Sequence, residues 1–247
     1  MTRNLDNRPR VFCVGWHKTG TSTLGLALIE LGYSVLGCRL DMVHPLRRGE
    51  MGDVLDLAGQ FDALQDVPWA ALYRELDERY PGSRFILTER DDQSWLKSAR
   101  RHFADTHVPL HEWLYGEGRL IGNEELYLER YRRHNREVRD YFRDRSEDLL
   151  VMNLVAGDGW ETLCDYLGHE APSQGFPHVN KGPQSYNASD KGKALLRRMI
   201  PSSLRRNLFS ARLAIGKLLG NPDPRNRFHN AMENRRERMN WRKRNRE

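Results

Sequence analysis

Cysteines and long apolar runs are both scarce in this chain of 247 residues. The three cysteines, Cys13, Cys38 and Cys164, are too few and too widely spaced for a disulfide framework or a zinc knuckle. No segment approaches the ~20 apolar residues that a transmembrane helix needs. The first ten residues contain no apolar stretch, which predicts that no secretory signal is present. These absences favour a soluble cytoplasmic protein with reduced cysteines.

Charge is divided unevenly along the chain, although the net value is +6. Residues 1–182 carry 23 Lys and Arg against 29 Asp and Glu, a balance of −6, whereas residues 183–247 carry 17 against 5, a balance of +12. Any partner that recognises positive charge is therefore expected at the C-terminal segment. Hydrophobic residues make up 38% of the chain and recur periodically, which excludes a wholly disordered protein.

Strand-like and helix-like patterns alternate through the first 182 residues. Apolar residues predict strands at 10–15, 33–36, 61–66, 84–88 and 149–152, and helices at 22–31, 69–80, 94–102, 123–145 and 160–167. Residues 37–60 are predicted to form a loop with one short helix, and residues 103–122 a loop. The alternation predicts one α/β domain over 1–182, in three layers, with a parallel sheet of about five strands. Residues 183–247 are predicted to be a basic, partly amphipathic helical extension.

A glycine-rich turn of a phosphate-binding type connects the first predicted strand to the first predicted helix. The segment from Gly15 to Thr23 nearly fits the pattern G-x-x-x-x-G-K-[ST], but Thr21 stands where the lysine belongs and Lys18 lies inside the turn. Backbone N–H groups at a helix N-terminus bind anions, and the hydroxyls of this segment add donors. Hydrolysis of a nucleoside triphosphate is disfavoured, because it uses the missing lysine together with magnesium. The alternative is a glycine-rich turn that binds nothing.

A second anion-binding site is predicted after the strand at 84–88. Arg90 lies where this strand ends, at the carboxyl edge of the sheet, which is where ligands of open α/β sheets bind. Ser98 follows eight residues later, inside the next predicted helix. Taken alone, the two residues are equally compatible with a surface arginine and an ordinary helix serine.

Combined with the glycine-rich turn, this pair resembles the P-loop-like sulfotransferases that use 3′-phosphoadenosine 5′-phosphosulfate (PAPS). The resemblance implies that the turn holds the 5′-phosphosulfate and that the arginine and serine hold the 3′-phosphate. It extends to residues 157–168 and 176–182, where Lys181 and Gly182 are similar to a late Lys-Gly segment over the 3′-phosphate. Asn180 replaces the arginine that usually precedes this lysine, and a simple turn is the alternative. The implied donor-binding residues are His17, Lys18, Thr19, Gly20, Thr21, Ser22, Thr23, Arg90, Ser98, Lys181 and Gly182.

Sulfuryl transfer needs positive charge at the leaving phosphate and a base for the acceptor hydroxyl. Lys18 is predicted to supply the charge. Many members of the family have a histidine before Leu-Pro as the base, and Asp66 occupies that place in the segment 65–68. Burial would have to raise its pKa, because an ordinary aspartate, with a pKa of about 3.9, is a weak base. Asp66 is equally suited to cap the following helix, and Asp62 and His17 are further candidates for the base.

Two histidines have the spacing of metal ligands, but no metal is predicted. Pro109 lies between His107 and His111 and disfavours the helical geometry that the spacing requires. These histidines are predicted instead to form, with neighbouring aromatic side chains, a lid or wall over the acceptor. The aromatic residues concerned are Phe103, Trp113 and Tyr115.

The predicted function is transfer of a sulfuryl group from PAPS to an acceptor hydroxyl on a carbohydrate, lipid or small metabolite, which leaves 3′,5′-adenosine bisphosphate (PAP). A small-molecule kinase using ATP and a non-catalytic nucleotide-binding scaffold that acts through its basic tail are the alternatives. The extension 183–247 is predicted first to pack on the acidic body of its own or a neighbouring subunit. Contact with an anionic membrane surface comes second, and nucleic acid is disfavoured.

Overall fold

Five short strands form one parallel sheet in the computed structural model, which describes residues 8–177. The strands are apolar because both faces of a parallel sheet are covered by helices. The order across the sheet is β2-β3-β1-β4-β5, so β1 lies at the centre and pairs with both β3 and β4. The strands are β1 Val11–Cys13, β2 Val35–Leu36, β3 Ala63–Gln65, β4 Arg84–Thr88 and β5 Leu149–Met152.

Eight helices and three 3₁₀ turns connect these strands within the described residues. The helices are α1 Thr21–Glu30, α2 Val43–Arg48, α3 Met51–Ala58, α4 Tyr73–Arg79, α5 Asp92–Phe103, α6 Pro109–Tyr115, α7 Glu124–Tyr141 and α8 Trp160–Leu167. The 3₁₀ turns are Leu40–Met42, Trp69–Leu72 and Ser146–Asp148. None of the helices between residues 8 and 177 is long and apolar enough to cross a membrane.

The sheet separates two apolar cores, because successive side chains of a strand point to opposite faces. Phe12 of β1 packs into the larger core, with residues of α2 to α7. Val11 and Cys13 pack into the smaller core, with residues of α1 and α8. Helices therefore cover both faces of the sheet, and the predicted three-layer α/β fold with five parallel strands is confirmed.

Two predicted loops were wrong in their secondary structure. Residues 37–60 contain two helices, α2 and α3, and residues 103–122 contain α6. The reason is that Pro45 and Pro109 lie in the first turns of α2 and α6, where a missing N–H group breaks no intrahelical hydrogen bond. The predicted helix at 69–80 also divides into a 3₁₀ turn and the shorter α4.

Three turns meet at the carboxyl edge of the sheet. Because β3, β1 and β4 are neighbours, the turns that follow them, at 66–68, 14–20 and 89–91, lie next to one another. These turns carry Asp66, Lys18 and Arg90, which are far apart in the sequence. The fold therefore brings these three predicted site residues to one edge of the sheet.

Candidate active site

The glycine-rich turn after β1 is held against the end of β4 by hydroxyl groups. Thr19 is fully buried, and its Oγ1 donates to the carbonyl of Trp16 at 2.6 Å and lies 2.6 Å from Oγ1 of Thr88. A hydroxyl has one proton, so Thr88 must donate to Thr19. Gly15 is needed at this approach, because a Cβ there would lie 1.9 Å from Oγ1 of Thr88. The side chain of Thr19 therefore shapes the turn, and because its hydroxyl proton is donated to Trp16, its predicted contact with the anion stays a prediction for the backbone of Thr19.

The N-terminus of α1 faces out of this turn without a side-chain cap. The residue before the helix is Gly20, at φ 103°, a left-handed conformation that glycine adopts at no steric cost. The first N–H groups of an α-helix have no intrahelical acceptor, and the helix dipole adds positive potential there. The N–H groups near Thr21 and Ser22 can consequently receive an anion. Thr23 lies one residue further into the helix, and its N–H donates to the carbonyl of Gly20 at 2.9 Å.

Lys18 lies inside the turn with a left-handed backbone, at φ 68°. This conformation is uncommon for a residue other than glycine, and such strain concentrates at functional sites. Burial lowers the pKa of Lys18, the negative charge of Asp66 raises it, and the positive charges of Arg101 and Arg90 lower it. The ammonium group is therefore partly desolvated and lies within electrostatic reach of a carboxylate and two guanidinium groups.

Asp66 also has a left-handed backbone, at φ 70°, directly after β3. Its Oδ2 accepts from Oγ1 of Thr21 at 2.9 Å, and its Oδ1 accepts from the N–H of Val67 at 2.8 Å. At the 3₁₀ turn Trp69–Leu72 the carbonyl of Asp66, and not its carboxylate, accepts from the N–H of Ala70 at 3.1 Å, so the carboxylate makes no capping bond there. Burial raises the pKa of Asp66, although the bonds from Val67 and Thr21 and the charge of Lys18 lower it. The change has the direction that a base requires.

Asp62, the reserve candidate for the base, lies elsewhere. It precedes β3, at the opposite end of the strand from Asp66, and its Oδ2 accepts from both the N–H and the Oγ of Ser34 at 2.6 Å. These bonds hold the start of β2 beside the start of β3. The prediction that Asp62 could replace Asp66 is therefore wrong, because the strand separates the two carboxylates.

Arg90 reaches the turn after β1 from the end of β4. Its Nη1 donates a long hydrogen bond, 3.5 Å, to the carbonyl of Lys18, while its buried Nε has no hydrogen-bond partner. An unpaired buried donor on a guanidinium is costly unless an anion receives it. Ser98 is buried on α5, one turn after Trp95, whose Nε1 donates to the carbonyl of His17 at 2.8 Å. The unpaired Nε of Arg90 is therefore available to an anion at the end of β4.

His17 occupies a buried aromatic cluster behind the turn. The Nε2 of its ring lies 2.6 Å from the hydroxyl of Tyr115, and the ring stacks on Trp95 and His111 at centroid distances of 5.9 and 5.3 Å. Burial lowers the pKa of His17 well below its usual value, as do the neighbouring charges of His111, Lys18 and His102. A role of His17 as the base is disfavoured, because its ring is buried and its Nε2 is already bonded to the hydroxyl of Tyr115.

The predicted lid is also part of this interior. His111 and Tyr115 are buried, and Tyr115 accepts a hydrogen bond from Nε1 of Trp16. His107 is buried and lies 2.5 Å, through Nε2, from Oε1 of Glu112, so the two histidines have different surroundings. Within residues 8–177, no group of three or more His, Cys, Asp or Glu side chains is arranged to hold a metal ion.

His102 lies within electrostatic reach of Lys18 and was not predicted. It lies in the last turn of α5, and its ring contacts Phe103 edge-on at 4.9 Å, which in turn contacts His17 at 4.8 Å. Although the residue keeps exposed surface, burial and the charges of Lys18 and Arg101 lower the pKa of His102 to about 4. The imidazole is consequently neutral at physiological pH. Its position one turn after Ser98 was the available signal.

A strand, a glycine-rich turn and a helix, beside two further charged turns, form the arrangement of a P-loop-like α/β fold. The family model described as "Sulfotransferase domain" matches residues 10–117 and 102–185. The chain belongs to this sulfotransferase family. A curated relative, "Ava biosynthesis cluster protein M" of Aspergillus versicolor, is 25% identical over 215 residues, which cover 69% of this chain and 80% of that protein. Lys181, Gly182 and the extension 183–247 lie outside the described residues.

Proposed function

We propose that this sulfotransferase moves a sulfuryl group from PAPS to a hydroxyl of an acceptor. The observation that carries the proposal is the meeting of Lys18, Asp66 and Arg90 at one edge of the sheet, from the turns after β1, β3 and β4. Lys18 and Asp66 influence each other electrostatically, as do Lys18 and Arg90. A cation, a carboxylate of raised pKa and a guanidinium with an unpaired N–H are the groups that this transfer requires.

The donor site combines backbone and side-chain groups. The N–H groups at the start of α1 and the ammonium of Lys18 receive the 5′-phosphosulfate, while Arg90 and Ser98 receive the 3′-phosphate. The hydroxyl of Thr21 donates to Asp66, so Thr21 takes part through its backbone N–H. The contact of His17 is also through the backbone, since its ring is buried. Lys181 and Gly182 remain predicted contacts of the 3′-phosphate.

Bound PAPS supplies the sulfuryl group, whose bond to the bridging phosphate oxygen breaks as the acceptor oxygen bonds to sulfur. Lys18 stabilises the negative charge that develops on the leaving phosphate. Asp66 takes the acceptor proton, because burial gives its carboxylate a higher pKa than that of an ordinary aspartate. Thr21 and Val67 hold both oxygens of this carboxylate in place through hydrogen bonds.

The acceptor class is a hydroxyl compound such as a carbohydrate, lipid or small metabolite. The proposal includes a cytoplasmic location and, for the extension 183–247, packing on the acidic body or contact with a membrane surface. A kinase using ATP is disfavoured, because Thr21 replaces the lysine and its hydroxyl is bound to Asp66.

Calorimetric titration of the full chain with PAP, and separately with ATP and magnesium, tests the donor. We expect PAP to bind at least about tenfold more tightly, a difference of about 1.4 kcal/mol. Transfer of labelled sulfate from PAPS to a panel of hydroxyl compounds then identifies the acceptor. Preference for ATP would replace this proposal with the kinase, and tight PAP binding without transfer to any acceptor would favour the scaffold.

A further inference from the structure

One buried face of α7 contacts the turns of the proposed donor site. Tyr127, Tyr131 and His134 recur at helical spacing and are each at most 1% exposed. A sequence with this spacing predicts only a core-facing helix. In the structure, however, two of these side chains form hydrogen bonds to backbone atoms at the carboxyl edge of the sheet.

Tyr131 binds both peptide groups of Arg90. Its hydroxyl accepts from the N–H of Arg90 at 2.9 Å and donates to the carbonyl of Arg90 at 2.7 Å. The chain has left the sheet at this point, since the last backbone bond to the neighbouring strand is from the N–H of Glu89 to the carbonyl of Met152. Buried peptide groups need partners. One hydroxyl therefore supplies both partners that the sheet no longer provides.

The ring of Tyr131 continues this contact to the other anion-binding turn. It stacks on Trp95 at a centroid distance of 4.4 Å and an interplanar angle of 5°. Nε1 of Trp95 donates to the carbonyl of His17 at 2.8 Å. A single chain of contacts thus runs from the backbone of Arg90, through two rings, to the backbone beside Lys18.

His134 makes a parallel connection one turn further along α7. Its Nε2 lies 2.7 Å from the carbonyl of Val14, and its ring lies 4.2 Å from that of Trp16. Because a carbonyl can only accept, Nε2 carries the proton. The same helix therefore fixes the turn after β1 and the turn after β4 by different residues.

We propose that Tyr131 is a positioning residue that fixes the backbone of Arg90 and sets the affinity for the 3′-phosphate of the donor. This inference rests on the proposed function, because it assigns the 3′-phosphate to Arg90. The guanidinium is presented from a backbone that the hydroxyl of Tyr131 holds at both peptide groups. Without that hydroxyl, Arg90 samples other orientations and binds the phosphate less tightly, while the 5′-phosphate site is preserved.

The test compares the binding of PAP and of adenosine 5′-monophosphate, which lacks the 3′-phosphate, by calorimetry. Tyr131→Phe removes the hydroxyl and keeps the ring that stacks on Trp95. We expect this variant to bind PAP about tenfold more weakly and the monophosphate within about twofold of the wild type, which corresponds to about 1.4 kcal/mol for PAP alone. Tyr141→Phe is the matched control: it lies on the same helix and loses a hydroxyl bonded to Asp77 at 2.8 Å, away from the site. It is expected to bind both nucleotides normally.

Arg90→Ala, alone and combined with Tyr131→Phe, shows whether the two residues act together. We expect Tyr131→Phe to change PAP binding by less than about twofold once Arg90 is absent, since coupled residues are not additive. If Tyr131→Phe weakened the binding of both nucleotides equally, or left PAP binding unchanged, the inference would be overturned. The donor assignment would still stand in that case, provided that Arg90→Ala weakened the binding of PAP. A wild type without preference for PAP would remove the donor assignment and this inference with it.

Hydrogen exchange in the wild type provides a measurement that does not depend on whether a variant folds. The N–H of Arg90 is expected to exchange more slowly than an exposed loop amide in the free protein, because the buried Tyr131 accepts it through its hydroxyl at 2.9 Å. Exchange as fast as that of an exposed loop amide would show that this hydrogen bond is not maintained in solution, and would overturn the inference.

Discussion

The turns after β1 and β4 are held by buried aromatic and hydroxyl groups, whereas the helices beside them, α2 and α6, meet through charged side chains near the surface. Nε1 of Trp95, for example, donates to a backbone carbonyl in a fully buried position. Arg47 of α2 instead pairs with Glu112 of α6 at 2.5 Å, and 43% of its side-chain surface is exposed. The first kind of contact fixes backbone atoms in the interior, whereas the second lies in partly exposed surroundings, where Arg47 also donates to the carbonyl of Pro109 at 3.2 Å.

Buried hydrogen bonds to backbone atoms position the site, whereas exposed ion pairs only surround it. A buried hydrogen bond to a carbonyl cannot be replaced by water, so its loss leaves an unpaired polar group. An exposed ion pair exchanges readily with water and contributes about 0–1 kcal/mol. Substitutions in the turns should therefore have much larger effects than substitutions between α2 and α6, and the predictions below test that ranking.

Lys18→Ala should have the largest effect. Removing the positive charge from the leaving phosphate is expected to lower kcat by about 10²–10³-fold, as for other groups that stabilise charge in a transition state. Turnover with labelled PAPS measures this change. Lys97→Ala, which removes an exposed lysine of α5, is the control and should leave turnover unchanged. Full activity of Lys18→Ala would exclude Lys18 from the mechanism.

Asp66→Asn should lower kcat by about 10²–10⁴-fold, the range for loss of a general base, while PAP still binds. Burial raises the pKa of Asp66, so wild-type kcat should rise with pH through a midpoint above the ordinary carboxyl range. This limb of the pH profile should be absent in the variant. If Asp66→Asn kept its activity and its kcat still rose with pH in the acid range, another residue would be the base.

Asp66→Asn should lower activity but raise thermal stability at neutral pH. A carboxyl whose pKa is higher in the folded than in the unfolded protein contributes stability below its unfolded pKa, and this contribution is lost as pH rises through the folded pKa. Asparagine stays neutral, so Asp66→Asn is expected to have a higher Tm than the wild type at pH 7. The difference should disappear below about pH 4. A lower Tm at pH 7 would show that the bonds from Thr21 and Val67 outweigh burial.

Gly15→Ala should destabilise the fold by about 1–3 kcal/mol, the usual cost of overpacking. The added Cβ would overlap Oγ1 of Thr88 at 1.9 Å and separate the turn from β4. Gly52→Ala is the matched control, since a Cβ there meets nothing within 4 Å, and it should stabilise the protein by about 0.4–1 kcal/mol. Urea denaturation measures both. Equal effects of the two substitutions would show that the turn adjusts freely.

Arg47→Ala should have the smallest effect, about 1 kcal/mol, because its ion pair with Glu112 and its bond to the carbonyl of Pro109 are both only partly buried. The difference from the wild type should shrink further in 1 M salt, which screens exposed charges. If Arg47→Ala lowered the free energy of unfolding as much as Gly15→Ala, the distinction between the two regions would be removed.

The sequence predicted the parts of the site that depend on local patterns. A continuous apolar run that ends in glycine located β1 and its turn, and the boundaries of β4 at Arg84 and Thr88 were predicted without error. Arg90 was found for the same reason, because its position relative to a strand end is a local property. The sheet then brought Asp66 and Lys18 together, as expected for neighbouring parallel strands.

The features of the site that the sequence did not predict depend on contacts between distant segments of the chain. Pro109 suggested a break, whereas it begins α6, since only the tertiary context shows which side of a proline is helical. Tyr131 has the periodicity of any core residue, and its bonds to Arg90 join positions 41 residues apart. The enclosure of His17 likewise depends on Tyr115 and Trp95, which no local pattern places around it.

The central position of β1 has a consequence for how such a protein diversifies. Lys18, Asp66 and Arg90 are attached to three adjacent strands, so their spacing is set by the distance between strands and not by the length of the chain that joins them. The exposed residues of segments 37–60 and 103–122 can therefore change without moving the three residues, whereas the side chains of α2, α3 and α6 that pack into the larger core cannot. Under the proposed function, libraries that vary only the exposed residues of these two segments are expected to leave the donor site and the transfer step unchanged.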